Sequence, residues 1–487
     1  MSGEKMLRTI IKKEILNNIF SFRFLVAFLL LMIIVTITVV ILTDDYLRRI
    51  DEYSLRQGEI ENYMRNYAHF NRINPILTPS QPPLPFYSLI RKISPDDYIT
   101  ENVFQEFNSD PLPIMFPLID FVFIVTILLS LIALLFSYDS ICGEKEDGTL
   151  RLMLSNKLSK AKIILGKIIG GTLTLFLPFL FSLLIGLLII HLNPRVSWKG
   201  ANWGAFGLIL LGSILYFSFF YCLGIFISSR HRSSSSSIMT SLFVWVILIL
   251  LIPNLSPYLA SFLSPTPSKI KVERDVERIT MDERDELMRK MWREKQAELY
   301  KQYPILDENK NLTQAEQARK AVEDPAYKKA YQILSDQFKI IVAEANRIQG
   351  EKVRGMRTEL DRKEESQMLL SLGISMISPL ADFTYLATDL SSTGLRNMIH
   401  FQRIVGEWRQ LFSDYSEKKR AAIEKENPAV DSWNVAVDMS DRPRFQYKEE
   451  ALAGRFKWTL PFFAVLIIYN LIFFTAAFFS FIKYDVR

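Results

Sequence analysis

Six apolar stretches, each long enough to cross a bilayer, govern what this chain can become: 20–43, 116–138, 169–192, 205–228, 238–259 and 458–482. About twenty mostly apolar residues in a helix span the hydrocarbon core, because inside lipid every backbone amide must be bonded within its own segment. The 487 residues are 49% hydrophobic and 23% charged, an average over apolar and charged runs that alternate along the chain. This pattern predicts an all-α polytopic membrane protein with six transmembrane helices and a large, mostly helical extracytoplasmic domain between spans five and six. Lys5, Arg8, Lys12 and Lys13 precede the first run, and no small-x-small site interrupts it before Asp44. That is the pattern of a retained span and not of a removed signal peptide.

Lysine and arginine near span ends resist translocation and so set orientation. The amino-terminal segment 1–19 is basic, as are the 139–168 loop (Lys145, Arg151, Lys157, Lys160, Lys162, Lys167), the 229–237 loop (Arg230, Arg232) and the 483–487 tail. Six spans put these four segments on one face, which predicts cytoplasmic termini. The short 193–204 loop then faces outward, with Trp198 and Trp203 as interfacial anchors. Basic loops also account for the net charge of +6, and no nucleic-acid partner is expected. Cys142 and Cys222 fall at the membrane edge and inside it, where a structural disulfide is not expected and small buried apolar roles are.

Two polar stretches remain. Residues 44–115 include a proline-rich passage from Pro75 to Pro85, which opposes helix and central strand alike. It reads either as an ordered cap between two short helices or as a flexible linker. Residues 260–457 open with Pro265 and Pro267 and then turn to helix formers, dense from Lys269 to Tyr303 and free of proline from Ala326 to Leu370. Tyr331, Leu334, Phe338, Ile341 and Ala345 draw one apolar stripe on a helix on the order of 65 Å long. A second run, Leu395 to Glu424, is long enough to pack back against it. Between them Met368 to Ile377 is unusually apolar before Ser378-Pro379-Leu380 breaks the helix, and it fits either an interfacial segment or a buried core.

The catalytic inventory is nearly empty. Gly166-Lys167 is followed by Ile168 rather than Ser or Thr, and no glycine stands five positions before Gly166, so the phosphate-cradling loop is missing. His69, His191, His231 and His400 are scattered over different levels of the topology, which gives a metal site or a hydrolytic triad no support. Asp120 is the one acid placed inside a predicted span, about one turn from its outer end; a gating or substrate role and snorkelling to headgroups both fit.

The loop after span two carries the most information. Acids Glu144, Glu146 and Asp147 precede Gly148 and Thr149, and Leu150, Leu152, Met153 and Leu154 then form a short amphipathic turn suited to docking in a groove of another protein. The run Gly143-Glu144-Lys145-Glu146-Asp147-Gly148-Thr149-Leu150, followed by Leu154-Ser155 and Leu165-Gly166-Lys167, resembles the coupling-helix signature of type-2 ABC exporter permeases. The likeness extends to the six-span layout, to the amphipathic segment with Ile10, Ile11, Ile15 and Leu16 on one face, and to the closing Tyr484-Asp485-Val486-Arg487. It covers the external domain weakly, and Lys157 and Lys160 stand where the family often has proline and then arginine.

The resemblance implies a permease subunit in a bacterial cell membrane, working with a second copy or paralogue and two ATPase subunits. ATP and magnesium would be held by those partners, with no cofactor in this chain. It also implies that Glu144 and Glu146 make polar contacts with the ATPase, that Gly148 allows the bend, with Thr149 beside it, and that Leu150 and Leu154 pack. The first helix would be the connecting helix that also touches the ATPase. The rival expectation is a mechanical subunit, in which ATP hydrolysis inside moves the external helices against a periplasmic or cell-wall partner without solute transport.

Overall fold

The computed structural model describes residues 3–66, 68, 70, 79–90, 119–150, 159–426 and 436–482, all of them helix or connecting chain. They form two compact units, one of residues 1–253 with 375–487 and one of residues 254–374. Helices are α1 (Gly3–Ile19), α2 (Phe22–Asn66), α3 (121–137), α4 (Cys142–Glu146), α5 (Lys160–His191), α6 (Gly200–Arg230), α7 (Ser234–Leu263) and α8 (269–302). They continue as α9 (Pro304–Glu308), α10 (Gln314–Glu323), α11 (Pro325–Ser375), α12 (Pro379–Leu390), α13 (Leu395–Glu426) and α14 (Leu452–Ile482). Among the described residues six helices are long and apolar enough to cross a membrane: α2, α3 with its extension to Glu146, α5, α6, α7 and α14.

In the first unit α6 is the central post. Its Tyr216, Phe217, Phe219, Phe220 and Tyr221 are fully buried. They meet Phe383 of α12 at 5.3 Å, Phe179 of α5 at 6.1 Å and Phe473 of α14 at 5.3 Å between ring centroids. Between helices in lipid, close backbone approach replaces the hydrophobic effect as the source of stability, so small residues sit at the crossings. A Cβ on Gly224 would fall 1.9 Å from Ser137 Oγ of α3, and one on Gly171 would strike the Tyr221 ring.

The helix holding the first predicted span does not end at 43. α2 runs unbroken to Asn66 because residues 44–66 are rich in the helix formers Arg and Glu, contain no proline and add i,i+4 pairs Asp44–Arg48 and Asp45–Arg49. Of the proline passage, the described residues 79–84 are connecting chain leading into one short 3₁₀ turn, Pro85–Ser88, and Phe86 of that turn packs on Trp198 at 4.8 Å. A second short helix before Asp120 would lie outside the described residues.

α13 differs from expectation in its partner. Its apolar face, Trp408 and Phe412, is buried with Met64, Ala68 and Met439, so the far end of α2 covers it. Residues 437 and 439 donate to the carbonyls of Ala68 and Met64 at 2.8 and 2.9 Å, and Arg442 and Arg444 both hold Glu61.

The second unit is an antiparallel helical hairpin. Its partners step in opposite directions along the chain: Ser264 with Gln367, Lys269 with Glu364, Glu283 with Lys352, and Trp292 with Phe338. Leu306, Tyr327 and Ala330 close its end. Of the stripe expected on α11, Ile341 and Ala345 are buried, Tyr331 and Leu334 half-buried, and Phe338 is exposed apart from its contact with Trp292.

The helix break falls at 376–378. Ser378 caps α12 in extended conformation and Pro379 takes its first position, where a missing amide costs nothing. α12 belongs to the membrane unit and packs against α6, α14, α13 and the π-helical turns of α3 (Ile124–Leu129) and α7 (Ile247–Leu251).

Candidate functional site

α3 turns at residues 138–141 into the five-residue α4, and this hook is fastened on three sides. Ser228 Oγ of α6 accepts from the amides of Ile141 and Cys142 at 3.0 Å each, and Ser237 Oγ of α7 donates to the Tyr138 carbonyl at 2.6 Å. Both hydroxyls satisfy backbone groups that the turn leaves outside the helical ladder. Cys142 is buried and unpaired, as is Cys222.

Consecutive residues of α4 then reach different helices. Glu144 accepts from Lys167 Nζ of α5 at 2.9 Å, and the same ammonium donates to Glu14 of α1 at 3.1 Å. Lys145 donates to the carbonyls of Ser229 and His231 at 2.8 and 3.2 Å, placing a cation at the negative end of α6. Glu146 accepts from the Ser234 amide at 3.1 Å, placing an anion at the positive end of α7. One helical turn thus addresses the two dipole ends facing it with matched charges, while its first acid bridges to α5 and α1.

The Lys167 side chain is 3% exposed and that of Glu14 is 8% exposed. Glycine is what allows α1 to come so close. A Cβ on Gly166 would lie 2.5 Å from Ile10 Cγ2, and one on Gly170 would lie 2.9 Å from Glu14 Cβ and 3.2 Å from the Ile11 carbonyl. The Gly166-Lys167 pair therefore has a physical sense: the first residue opens the groove and the second supplies its charge. On the other flank Arg23 of α2 pairs with Asp139 at 2.7 Å and lies over the Tyr138 ring at 5.2 Å.

The exposed part of the hook is its tip, Glu146 to Thr149. Gly148 has φ +72, the left-handed region that favours glycine, and Thr149 Oγ1 donates to the Glu144 carbonyl at 3.3 Å. Glu144 points inward and Leu150 is buried. Leu154 lies outside the described residues. Asp120 is not among these groups: it is the N-cap of α3, accepting from the Phe123 amide at 2.8 Å.

Two kinds of contributor escaped the sequence reading. Glu14 lies on the apolar face of α1, and an acid on such a face is itself a sign of a buried partner. The serines that tie the hook to α6 and α7 had no distinguishing pattern beyond the Ser233–Ser237 run.

Six long apolar helices, with an acidic hook bound back to its neighbours, define a multi-pass membrane protein. The chain belongs to the ABC-2 family of transporter proteins, whose profile matches residues 8–486. It is similar to the probable ABC transporter permease protein NosY of Pseudomonas aeruginosa, 38% identical over 129 residues, which are 26% of this chain and 46% of that protein. It is also similar to the protein of the same name from Stutzerimonas stutzeri, 35% identical over 127 residues, 26% of this chain and 46% of that protein. The chain thus spans about half the length of the curated relatives it matches.

Proposed function

We propose that this chain is the transmembrane permease subunit of an ATP-driven exporter in a bacterial cell membrane. ATP and magnesium are held by two copies of a separate ATPase subunit, and a second permease copy or a paralogue completes the path. In this reading both termini and the 139–168 loop are cytoplasmic, as the distribution of lysine and arginine supports.

The observation that carries the proposal is the triple attachment of residues 144–146. A push on the exposed tip of the hook is passed to α5 and α1 through Lys167, to α6 through Lys145 and to α7 through Glu146. All three attachments leave one five-residue helix, and the one at Lys167 is buried, so displacement of the hook changes the packing of several helices together. Affinity purification of a tagged copy from native membranes should bring down ATPase subunits. The double variant Glu144→Gln, Glu146→Gln should insert normally but lose coupled ATPase activity; unaltered activity would rule out the coupling role.

The mechanical reading is favoured by one specific feature. α2 passes as one 45-residue helix from apolar into charged sequence, so movement in the span continues into the polar end that carries α13. Breaking it with Gln57→Pro separates the two readings: loss of ATP-driven solute export with a normal bundle argues for transport, whereas loss only of a response in an external partner argues for mechanical transmission.

A further inference from the structure

Asp382 is the most anomalous polar group in the membrane unit. It lies one turn into α12, is 0% exposed, and neither carboxyl oxygen has a hydrogen-bond partner. An ionised carboxylate in that position would keep none of its hydration and receive nothing in return, a cost of many kcal/mol that side chains avoid by taking up a proton.

The groups around it do not supply a counter-charge. Tyr469 of α14 interacts with it electrostatically, but its hydroxyl donates to the carbonyls of Met376 and Ile377 at 3.1 and 3.0 Å. Tyr216 of α6 donates to the Thr126 carbonyl at 2.8 Å. The π-helical turns of α3 and α7 that touch α12 contain no ionisable side chain. Arg396 of α13 is bound to Glu450, and Arg455 of α14 to Glu449 and the Leu390 carbonyl. Tyr385 of α12 itself is joined to Ser375 at 3.0 Å, and Asp389 accepts from the Arg396 amide and the Trp458 indole. Lys457 is exposed.

Enclosure narrows the ligand further. Asp382 is covered by its own chain, so neither a second subunit nor a lipid headgroup reaches it without repacking α12. No space the size of a water adjoins either oxygen. A hydrated cation or an ammonium group would not fit, whereas a proton needs no volume.

We propose that Asp382 is a proton-binding site within the transmembrane bundle: its carboxyl is held as the neutral acid while α12 is packed between α6 and α14, and gives up the proton when that packing opens. α12 is suited to such movement. It does not span, it follows a helix break, and the π-helical turns against it are features that recur at functional sites in helices. By linkage, a group protonated in the closed state and ionised in the open one makes opening easier as pH rises.

The test uses the full-length chain in lipid nanodiscs. Infrared difference spectra at neutral pH should show a carboxylic C=O band that shifts in D₂O, is lost in Asp382→Asn and is kept in Asp120→Asn. In the second arm, amide exchange of α12 is compared between wild type and Asp382→Asn at equal pH. The ratio should rise about tenfold per pH unit between the pH at which the carboxyl titrates in the open state and that at which it titrates in the closed one, and level off above both. A neutral-pH spectrum in which Asp382→Asn removes only a carboxylate band, or an exchange ratio independent of pH, would overturn the proposal. Should Asp382→Asn fail to insert, Asp382→Glu serves instead: a displaced carboxylic band supports the site, an unmoved one refutes it.

Discussion

Lys167 of α5 and Glu14 of α1, 153 residues apart in the chain, meet at 3.1 Å in a site nearly closed to solvent. The ammonium is shared with Glu144, so three helices depend on one cation. Breaking a buried pair is costly because the charge left behind has lost its water and its partner.

Lys167→Met should therefore be far more harmful than an ordinary surface change. It leaves Glu14 and Glu144 facing each other without a cation, and the expected loss is about 3–5 kcal/mol. Glu14→Gln, which keeps Glu144 paired, should cost less. Thermal unfolding in nanodiscs and protease cleavage at the Phe20–Ser21 turn between α1 and α2 would measure both; equal, small effects would show that the three groups do not act together.

Gly166→Val should dislodge α1 without touching any charge. The added atoms fall on Ile10, and Ile10→Ala should restore part of the loss by making room. Lack of rescue in the double variant would mean that α1 is held elsewhere.

The Arg396–Glu450 pair gives a pH prediction. Hydrogen bonding to Arg396, opposed in part by burial, holds the Glu450 carboxyl below its ordinary value. A depressed carboxylate contributes stability that is present above its unfolded pKa, about 4.3, and is lost as pH falls through the folded one. Arg396 also lies over the Trp458 ring at 5.0 Å. Trp458 fluorescence, taken as the difference from Trp458→Phe, should change on acidification below about pH 4, and Glu450→Gln should remove that step.

Trp292→Ala should loosen the hairpin of residues 254–374 and leave the membrane bundle intact. The Trp292–Phe338 contact is edge-on at 5.0 Å, worth about 1 kcal/mol beyond the area it buries. Hydrogen exchange should accelerate in α8 and α11 and stay unchanged in α6. Equal acceleration in both would mean that the two units unfold as one.

What the sequence determined alone was whatever depends on length and period. Six apolar stretches dictated six helices, Ser378-Pro379-Leu380 dictated a helix break, and the Tyr331 to Ala345 stripe dictated the face on which Ile341 and Ala345 are buried, because each is a property of local sequence. The glycines and the lysine at 166–171 were visible as letters, but their use was not. Only the fold decided that α1 would lie in the groove they open, that Glu144 would turn inward to Lys167, and that α13 would be covered by α2. Asp120 and Asp382 make the same point together. The first, read one turn inside a predicted span, caps the helix that begins there, while the second was assigned to an external domain and is sealed within the bundle. The physical reason is that burial and partnership are set by which surfaces approach in three dimensions, and no local pattern encodes the approach of residues more than a hundred positions apart.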